Sequence, residues 1–240
     1  MLKTFTCSLA CGALLSFQCI HAQEVVGTPT VSKVESNIDF ALAFGANAYS
    51  TALGFNRTHG LLKSHKLRIG YGVRLSSLFG QNLNYTSAPP ELSLEPTLVD
   101  TLLVASPITL GLNANIHLGY FITPKFQVGF NIDVIGLGFG ATNRSTFISS
   151  DNNGQFAARQ TARPTSMNVL LVGDKDIGQL KSEFVLAYRI KDQFLVRAGA
   201  DFTFSEYTTL NELTNTNDRF RHKAMMGFVG ISYKIGSKTE

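Results

Sequence analysis

His117 is the residue of this chain best suited to catalysis or metal binding. It lies in a segment of alternating apolar and polar residues and shares one face with Asn113 and Asn115 at two-residue spacing. Such a histidine could act as a general base or hold a metal ion, but no second His or Cys stands at ligand spacing from it. The pattern therefore favours a buried structural histidine, and we expect no metal ion and no cofactor.

Ser205, Glu206 and His222 form a second group, with the residue types of a nucleophile, an acid and a base around one predicted loop. A lipid-modifying enzyme of the outer membrane, an acyl hydrolase or transferase, would need these side chains within hydrogen-bonding distance of one another. Their spacing does not require this, so the enzyme remains an alternative. The glycine-rich segment 136–140 precedes neither a helix nor a Lys-Ser/Thr pair, and it does not predict a phosphate site.

The start of the chain is typical of a secretory signal peptide. Residues 1–22 carry one charge, Lys3, then a short apolar stretch, and end in Ile20-His21-Ala22. We expect cleavage after Ala22 and export from a Gram-negative cytoplasm. The apolar stretch is shorter than the ~20 residues that a membrane-spanning helix needs.

The cysteines and charges limit the function classes further. The chain contains Cys7, Cys11 and Cys19. All lie in the leader, so disulfides and cysteine metal sites are excluded from the mature chain. Acylation of Cys19 stays open as an alternative, although Phe17-Gln18 lack the small side chains that a lipoprotein site prefers. Because the remaining Lys and Arg residues are scattered and not clustered, nucleic acid is not an expected partner.

Alternation of apolar and polar residues is the main pattern of the mature chain and predicts strands. The clearest case is segment 108–120, in which every second residue is apolar. Segment 37–57 loses this phase near Tyr49, and there we predict two strands with a turn near 45–49 in preference to one bulged strand. The other predicted strands are 67–79, 126–134, 184–190, 194–204 and 225–235.

Short turns alternate with long polar connections between these strands. Segments 122–125 and 191–192 are short turns, whereas segments 86–106, 142–179 and 209–221 are long and rich in polar residues. Outer-membrane barrels have short periplasmic turns and long extracellular loops. The sequence therefore predicts an all-β fold, a transmembrane antiparallel up-and-down β-barrel of about eight strands. Its predicted parts are a polar lead-in at 23–36, the barrel at 37–236 and a tail at 237–240.

The polar face of the predicted strands indicates which side meets lipid. It consists mainly of Gly, Asn, Ser, Thr and Ala with isolated charges, whereas a soluble barrel would present many Lys and Glu side chains to water. We therefore predict that the polar face fills a narrow lumen, in which opposite charges pair. The predicted lumen charge network comprises Asp39, Arg68, Arg74, His117, Asp133, Glu183, Arg189, Arg197, Asp201 and Lys234.

Aromatic residues lie beside the predicted short turns and near the C-terminus. Such residues form girdles at the membrane interfaces of barrels. The predicted periplasmic girdle comprises Tyr120, Phe126, Tyr188, Phe194 and Tyr233.

Segment 123–140, TPKFQVGFNIDVIGLGFG, together with IGYGVR at 69–74, resembles small porin-like outer-membrane β-barrel proteins of the Bacteroidota. The resemblance covers residues 37–236 and implies strands and turns, with no particular chemistry. One departure is the C-terminus, because barrels recognised by the outer-membrane assembly machinery usually end in an aromatic residue. This chain ends IGSKTE, so the resemblance assigns that role to Tyr233.

Three function classes therefore stay open. A structural or surface-interaction barrel without catalytic activity is favoured over a narrow diffusion pore and over the lipid-modifying enzyme. The expected partners are outer-membrane lipid, lipopolysaccharide and the assembly machinery, with a surface ligand unknown. Four basic residues of the longest loop could contact lipopolysaccharide phosphates: Arg144, Arg159, Arg163 and Lys175.

Overall fold

A computed structural model describes residues 31–150, 155–172 and 174–238 of the chain. The predicted signal peptide, its cleavage site after Ala22 and the alternative acylation of Cys19 lie outside the described residues. In the described part of the chain, no helix is both long and apolar enough to cross a membrane.

The described residues form one antiparallel sheet of thirteen strands. The strands are β1 (Val34–Phe44), β2 (Ala48–Leu61), β3 (Leu67–Gly80), β4 (Leu83–Ser87), β5 (Thr101–Val104), β6 (Ile108–Phe121), β7 (Phe126–Gly140), β8 (Asn143–Ile148), β9 (Arg159–Pro164), β10 (Met167–Val169), β11 (Leu180–Lys191), β12 (Phe194–Thr209) and β13 (Arg219–Lys238). One short helix, α1 (Pro90–Ser93), and 3-10 turns at Pro96–Leu98 and Thr214–Thr216 lie between them. The predicted all-β antiparallel class is confirmed, but the predicted count of about eight strands is too low for this sheet.

The eight long strands close into a barrel. They are hydrogen-bonded in the order β1, β2, β3, β6, β7, β11, β12, β13, and β13 pairs back with β1. Every pairing is antiparallel. Because the ring is closed, this barrel leaves no free sheet edge along its main wall. Segment 37–57, in which the alternation of apolar residues changes phase near Tyr49, is divided into β1 and β2. The turn between them lies at 45–47, as the sequence pattern predicted.

Four of the other five strands lie in segments that we predicted to be loops, and β4 begins three residues before the first of these segments. Strand β13 pairs with β4, β4 with β5, β5 with β8, β8 with β9, and β9 with β12. Since β12 also pairs with β13, these six strands form a second, smaller ring that we call the cap. The fifth strand, β10, pairs with the upper half of β7. These strands have only three to six residues each, too short for a periodicity signal.

The two ends of the barrel differ. The connections 62–66, 122–125 and 192–193 are short and lie at one end, where β1 begins and β13 ends; we call this the turn end. The opposite end carries the cap and the long connections. Strand β1 begins at Val34 and β13 reaches Lys238, so the predicted barrel limits of 37 and 236 were too narrow. A register shift between Ser36 and Asn37 interrupts the alternation and explains the missed start.

The outer face of the eight long strands is an apolar belt. On β6, Leu112 is 42% exposed while its neighbour Asn113 is 1% exposed, and the same alternation continues around the barrel. Belt residues include Leu53, Phe55, Tyr71, Val73, Leu75, Ile116, Leu118, Ile135, Leu137, Phe184, Leu186, Val196, Phe202, Val229 and Ile231.

The cap has an apolar interior of its own. Its inward side chains are fully or almost fully buried, and the ring of Tyr85 meets that of Tyr207 edge to face, with centroids 5.1 Å apart. The cap core comprises Leu83, Tyr85, Leu102, Val104, Phe147, Ala162, Tyr207 and Phe220. The molecule thus contains a polar barrel interior beneath a hydrophobic cap core.

Candidate functional site

The lumen of the barrel is filled with opposite charges. Its inward-facing acidic side chains are Glu35, Asp39, Asp133, Glu183 and Asp201, and its basic ones are Arg68, Arg74, Lys181, Arg189 and Arg197. Because strands contribute inward residues at every second position, charges from different strands meet on one axis. The balance of signs makes mutual pairing possible without an external counter-ion.

Glu183 is the centre of this network. Its Oε2 lies 3.1 Å from a guanidinium nitrogen of Arg74 and 3.1 Å from one of Arg197, and it accepts a hydrogen bond from Asn131 at 3.0 Å. Arg74 also binds Asp133 at 2.6 Å. These contacts join β3, β7, β11 and β12 across the barrel interior.

The network continues toward both ends. Arg197 lies 3.3 Å from Asp39 of β1, which completes a link around the lumen. Toward the cap, the Lys181 ammonium binds Asp201 and donates to Ser50 at 2.6 Å. The amide of Asn113 donates to Asp133 at 2.9 Å, so polar bonds occupy the lumen up to the start of β11.

At the turn end, two arginines hold the first described residues across the lumen. Arg68 donates to the backbone oxygen of Ser32 at 2.6 Å, and Arg189 binds Glu35 at 3.1 Å. The buried ring of Phe121 lies between the two guanidinium groups, 5.9 Å and 5.6 Å from their central carbons. This arrangement covers the turn end of the lumen.

His117 lies among amides inside the barrel. Its Nδ1 is hydrogen-bonded to Asn131 Oδ1, and its Nε2 lies 3.4 Å from the amide nitrogen of Gln127. Asn113 lies four residues away on the same strand, too far for contact with His117, and its amide binds Asp133. Among the described residues, no cluster of three or more His, Cys, Asp or Glu side chains could hold a metal ion.

The structure places nine of the ten predicted network residues in the lumen. The tenth, Lys234, lies near the turn end, where its backbone N–H donates to Gln193, and within the described chain it forms no ion pair. Sequence reasoning missed Glu35 and Lys181. Lys181 is in phase with Glu183 and could have been found by extending that strand, whereas the register shift after Ser36 hid Glu35.

The predicted girdle residues lie near the turn end and face outward. Phe126 pairs with Tyr188 across β7 and β11. The rings of Phe194 and Tyr233 have centroids 5.0 Å apart, and Tyr120 pairs with Leu67.

The three residues considered for lipid modification do not form a catalytic triad. Ser205 and His222 pair across β12 and β13, but the Ser205 hydroxyl bonds to Tyr85 at 2.8 Å and His222 Nδ1 to the Asn84 carbonyl at 2.9 Å. Glu206 binds Arg219 at 2.9 Å. Each functional group therefore has a different partner.

A second ionic cluster lies on the outward side of β12 and β13, where these two strands enter the cap. Glu206 is fully buried there between Arg219 and Arg221, at 2.9 Å and 3.3 Å. Burial lowers the pKa of Arg219, but the hydrogen bond to Glu206 and the negative charges of Glu206 and Asp218 together outweigh it and raise that pKa. Asp174 accepts hydrogen bonds from Lys223 at 2.8 Å and 3.1 Å, which lower the pKa of the Asp174 carboxyl.

Comparisons with known proteins add little to this geometry. No protein-family model and no curated protein match the chain. Neisserial surface protein A has 8% identity and a TM-score of 0.36, with 84% of this chain and 96% of that chain covered. The Pseudomonas putida toluene transporter TodX has 11% identity and a TM-score of 0.22, with 78% and 69% covered. The monoaromatic hydrocarbon channel CymD has 9% identity and a TM-score of 0.21, with 85% and 89% covered. Similarity at this level does not identify a function, and these matches give no support to the expected Bacteroidota family.

Proposed function

We propose that this chain is an integral outer-membrane β-barrel that is closed by its own side chains and has a structural or surface-interaction role. The observation that carries the proposal is a continuous apolar belt around a closed barrel with an ionic lumen. A belt of exposed Leu, Ile, Val and Phe side chains would be unfavourable in water, and soluble monomers rarely expose so large an apolar surface. In lipid the same belt would contact hydrocarbon. A closed barrel also satisfies its backbone hydrogen bonds internally, which the membrane interior requires.

The ends of the barrel support the proposed orientation. Short turns on one side and long connections on the other are typical of outer-membrane barrels, with the turns in the periplasm. The cap would then face the outside. Its outer surface carries exposed Arg144, Arg159 and Arg163, suitable for lipopolysaccharide phosphates. The signal-peptide-like leader and the resemblance to Bacteroidota barrels belong to the same proposal, as does recognition by the assembly machinery.

The lumen favours a closed barrel over a diffusion pore. Ion pairs centred on Glu183 cross the interior, and Lys181 with Asp201 fills it toward the cap. Purified protein in a planar bilayer should therefore show no stable unitary currents. Reproducible currents would favour the pore. Incubation with labelled lipopolysaccharide or phospholipid should show no turnover, and activity lost in His222→Ala or His117→Ala would favour the enzyme.

The membrane location can be tested by a charge placed on the belt. Leu112→Arg should lower the free energy of unfolding in lipid vesicles by ~2–4 kcal/mol, because the cation would face hydrocarbon. The matched control is Leu94→Arg, since Leu94 is an exposed apolar residue (75%) in the cap-side loop and should tolerate the change. Asn113→Arg, inward by one residue, should act by crowding the lumen. Equal tolerance of Leu112→Arg and Leu94→Arg would contradict a lipid-facing belt.

The orientation can be tested by labelling, because all native cysteines lie in the leader. A cysteine at Glu91, exposed in the cap-side loop, should react with a membrane-impermeant maleimide on intact cells. A cysteine at Asp192, in the turn between β11 and β12, should react only after the membrane is broken. Equal labelling of both positions on intact cells would contradict the proposed orientation.

A further inference from the structure

An apolar tip projects from the outer wall of the barrel after β10. Val169 pairs with Ile177, and the Leu170 N–H donates to the Val134 carbonyl of β7 at 2.8 Å, so both sides of the excursion are fixed to the wall. Beyond them, Leu171 is 44% exposed and Val172 is 91% exposed. Two adjacent apolar side chains are therefore presented to the surroundings from a rigid base.

The second ionic cluster holds the other side of this excursion. The Asp174 carboxylate binds Lys223, while the backbone oxygens of Asp174 and Asp176 accept hydrogen bonds from Arg221. Arg221 in turn lies against the fully buried Glu206. These contacts hold Asp174 and Asp176 against the outside of β13, not over the lumen.

The strand register gives the height of this tip on the barrel. Lys223 pairs with Phe204, and two residues further toward the turn end Met225 pairs with Phe202 of the belt. Met225 is 72% exposed. On the β7 side, Met167 of β10 is exposed and pairs with Leu137, which is also a belt residue. The tip is therefore continuous with the belt on the β7 side, and on β13 its contact with Lys223 lies at the cap-side margin of the belt.

We propose that Leu171 and Val172 form an anchor that enters the acyl region of the outer leaflet, with Lys175 at the level of anionic lipid headgroups. This inference rests on the proposed function, because it needs the belt to be in lipid. Lys175 is exposed beside the tip, and Lys223 is exposed at the margin of the belt. Lys223 is paired with Asp174, whereas no ion pair of Lys175 is found in the described chain. An apolar tip with an exposed cation beside it matches the interface of a membrane that carries phosphate groups. The partner is thus a lipid surface.

The absence of tryptophan from the chain allows a direct test. Single-tryptophan variants Val172→Trp, Leu112→Trp and Leu94→Trp of the full mature chain would be folded into vesicles of phosphatidylcholine and phosphatidylglycerol. Fluorescence would be compared in plain lipid, in lipid brominated on its acyl chains near the headgroup and in lipid brominated near the chain ends, so that both depths are sampled. We expect about a twofold loss of fluorescence for Val172→Trp, since such side chains lie ~5–10 Å into the boundary.

The two controls separate the anchor from the belt. Leu112→Trp should be quenched as a belt residue, and Leu94→Trp should keep its fluorescence but be quenched by aqueous acrylamide. If Val172→Trp behaves like Leu94→Trp while Leu112→Trp is quenched, the anchor is wrong and the membrane barrel stands. If Val172→Trp is protected from both quenchers, a second copy of the chain covers the tip and the lipid anchor is equally wrong. If bromine also fails to quench Leu112→Trp, the proposed function itself fails.

Discussion

Glu183→Gln should destabilise the folded barrel by about 3–5 kcal/mol, because it breaks a buried ion-pair network by removing one partner. The substitution keeps the size of the side chain and its ability to accept from Asn131. It removes the negative charge that lies 3.1 Å from both Arg74 and Arg197. Since both arginines contact the same oxygen, their guanidinium nitrogens are at most twice that distance apart. At this separation, repulsion between two cations is about 3 kcal/mol for an effective dielectric constant of ~20.

The remaining partners set the lower end of this range. Arg74 keeps Asp133 at 2.6 Å and Arg197 keeps Asp39 at 3.3 Å, so neither cation is left without an acid. Glu183 itself is only 2% exposed, and water cannot easily replace its charge. We therefore expect a loss of about 3 kcal/mol, nearer the lower than the upper limit for a broken buried pair.

Urea unfolding in lipid vesicles, followed by far-ultraviolet circular dichroism, would measure this loss. Asp174→Asn is the matched control, because it removes a carboxylate charge from a pair whose side chain is 43% exposed. That variant should change the free energy of unfolding by about 1 kcal/mol or less. In the double variant Glu183→Gln/Arg197→Met, one of the two facing cations is gone, so part of the loss should be recovered. If Glu183→Gln costs no more than Asp174→Asn, the lumen is hydrated well enough to screen its charges and the closed network is refuted.

Three further predictions concern the cap and the turn end. Phe220→Ala should cost about 3–5 kcal/mol of cap stability, because it empties a fully buried site; limited proteolysis should then cleave the long connections while the barrel strands survive. Burial raises the pKa of Tyr85 and of Tyr207, so their neutral phenols stabilise the cap up to pH 10.0, and this contribution is lost as the pH rises from there toward the folded pKa. Tyr85→Phe should reduce that alkaline loss in urea titrations, and an unchanged pH profile would contradict a buried Tyr85. Arg68→Met should loosen residues 31–36 at the turn end, measured as faster amide hydrogen exchange there, with Lys33→Met, an exposed position, as the control.

Long alternating segments made the barrel wall predictable from sequence. In β6 every second residue from Ile108 to Tyr120 is apolar, and one side of that strand is indeed exposed while the other is buried. Such a pattern reports directly on the two environments of a strand, because its side chains alternate between faces. The inward charges followed from the same phase, which is why nine predicted lumen residues lie inside the barrel.

Irregular backbone and tertiary packing limited the rest. The alternation of segment 126–134 predicts Val134 to be in phase with Phe126 and Ile132, but a register shift opposite Ala114 and Asn115 makes it the extra residue of a bulge. Beyond it the exposed positions of β7 are the odd ones, 135, 137 and 139. The cap strands were missed for another reason. Each has too few inward residues for a pattern, and their apolar core forms only when four separate segments meet β12 and β13.

The cap also bears on where a surface ligand could bind. Its interior is occupied by large side chains such as Tyr85, Tyr207 and Phe220, each fully buried, and the lumen below is occupied by ion pairs. Strands β12 and β13 run without interruption from the barrel into the cap, so the two rings share a rigid pair of strands. Recognition that required entry into either interior would have to break a packed core or a buried ion-pair network, each costing several kcal/mol. We therefore expect any surface ligand to bind the outer face of the cap, where the exposed arginines of β8 and β9 lie.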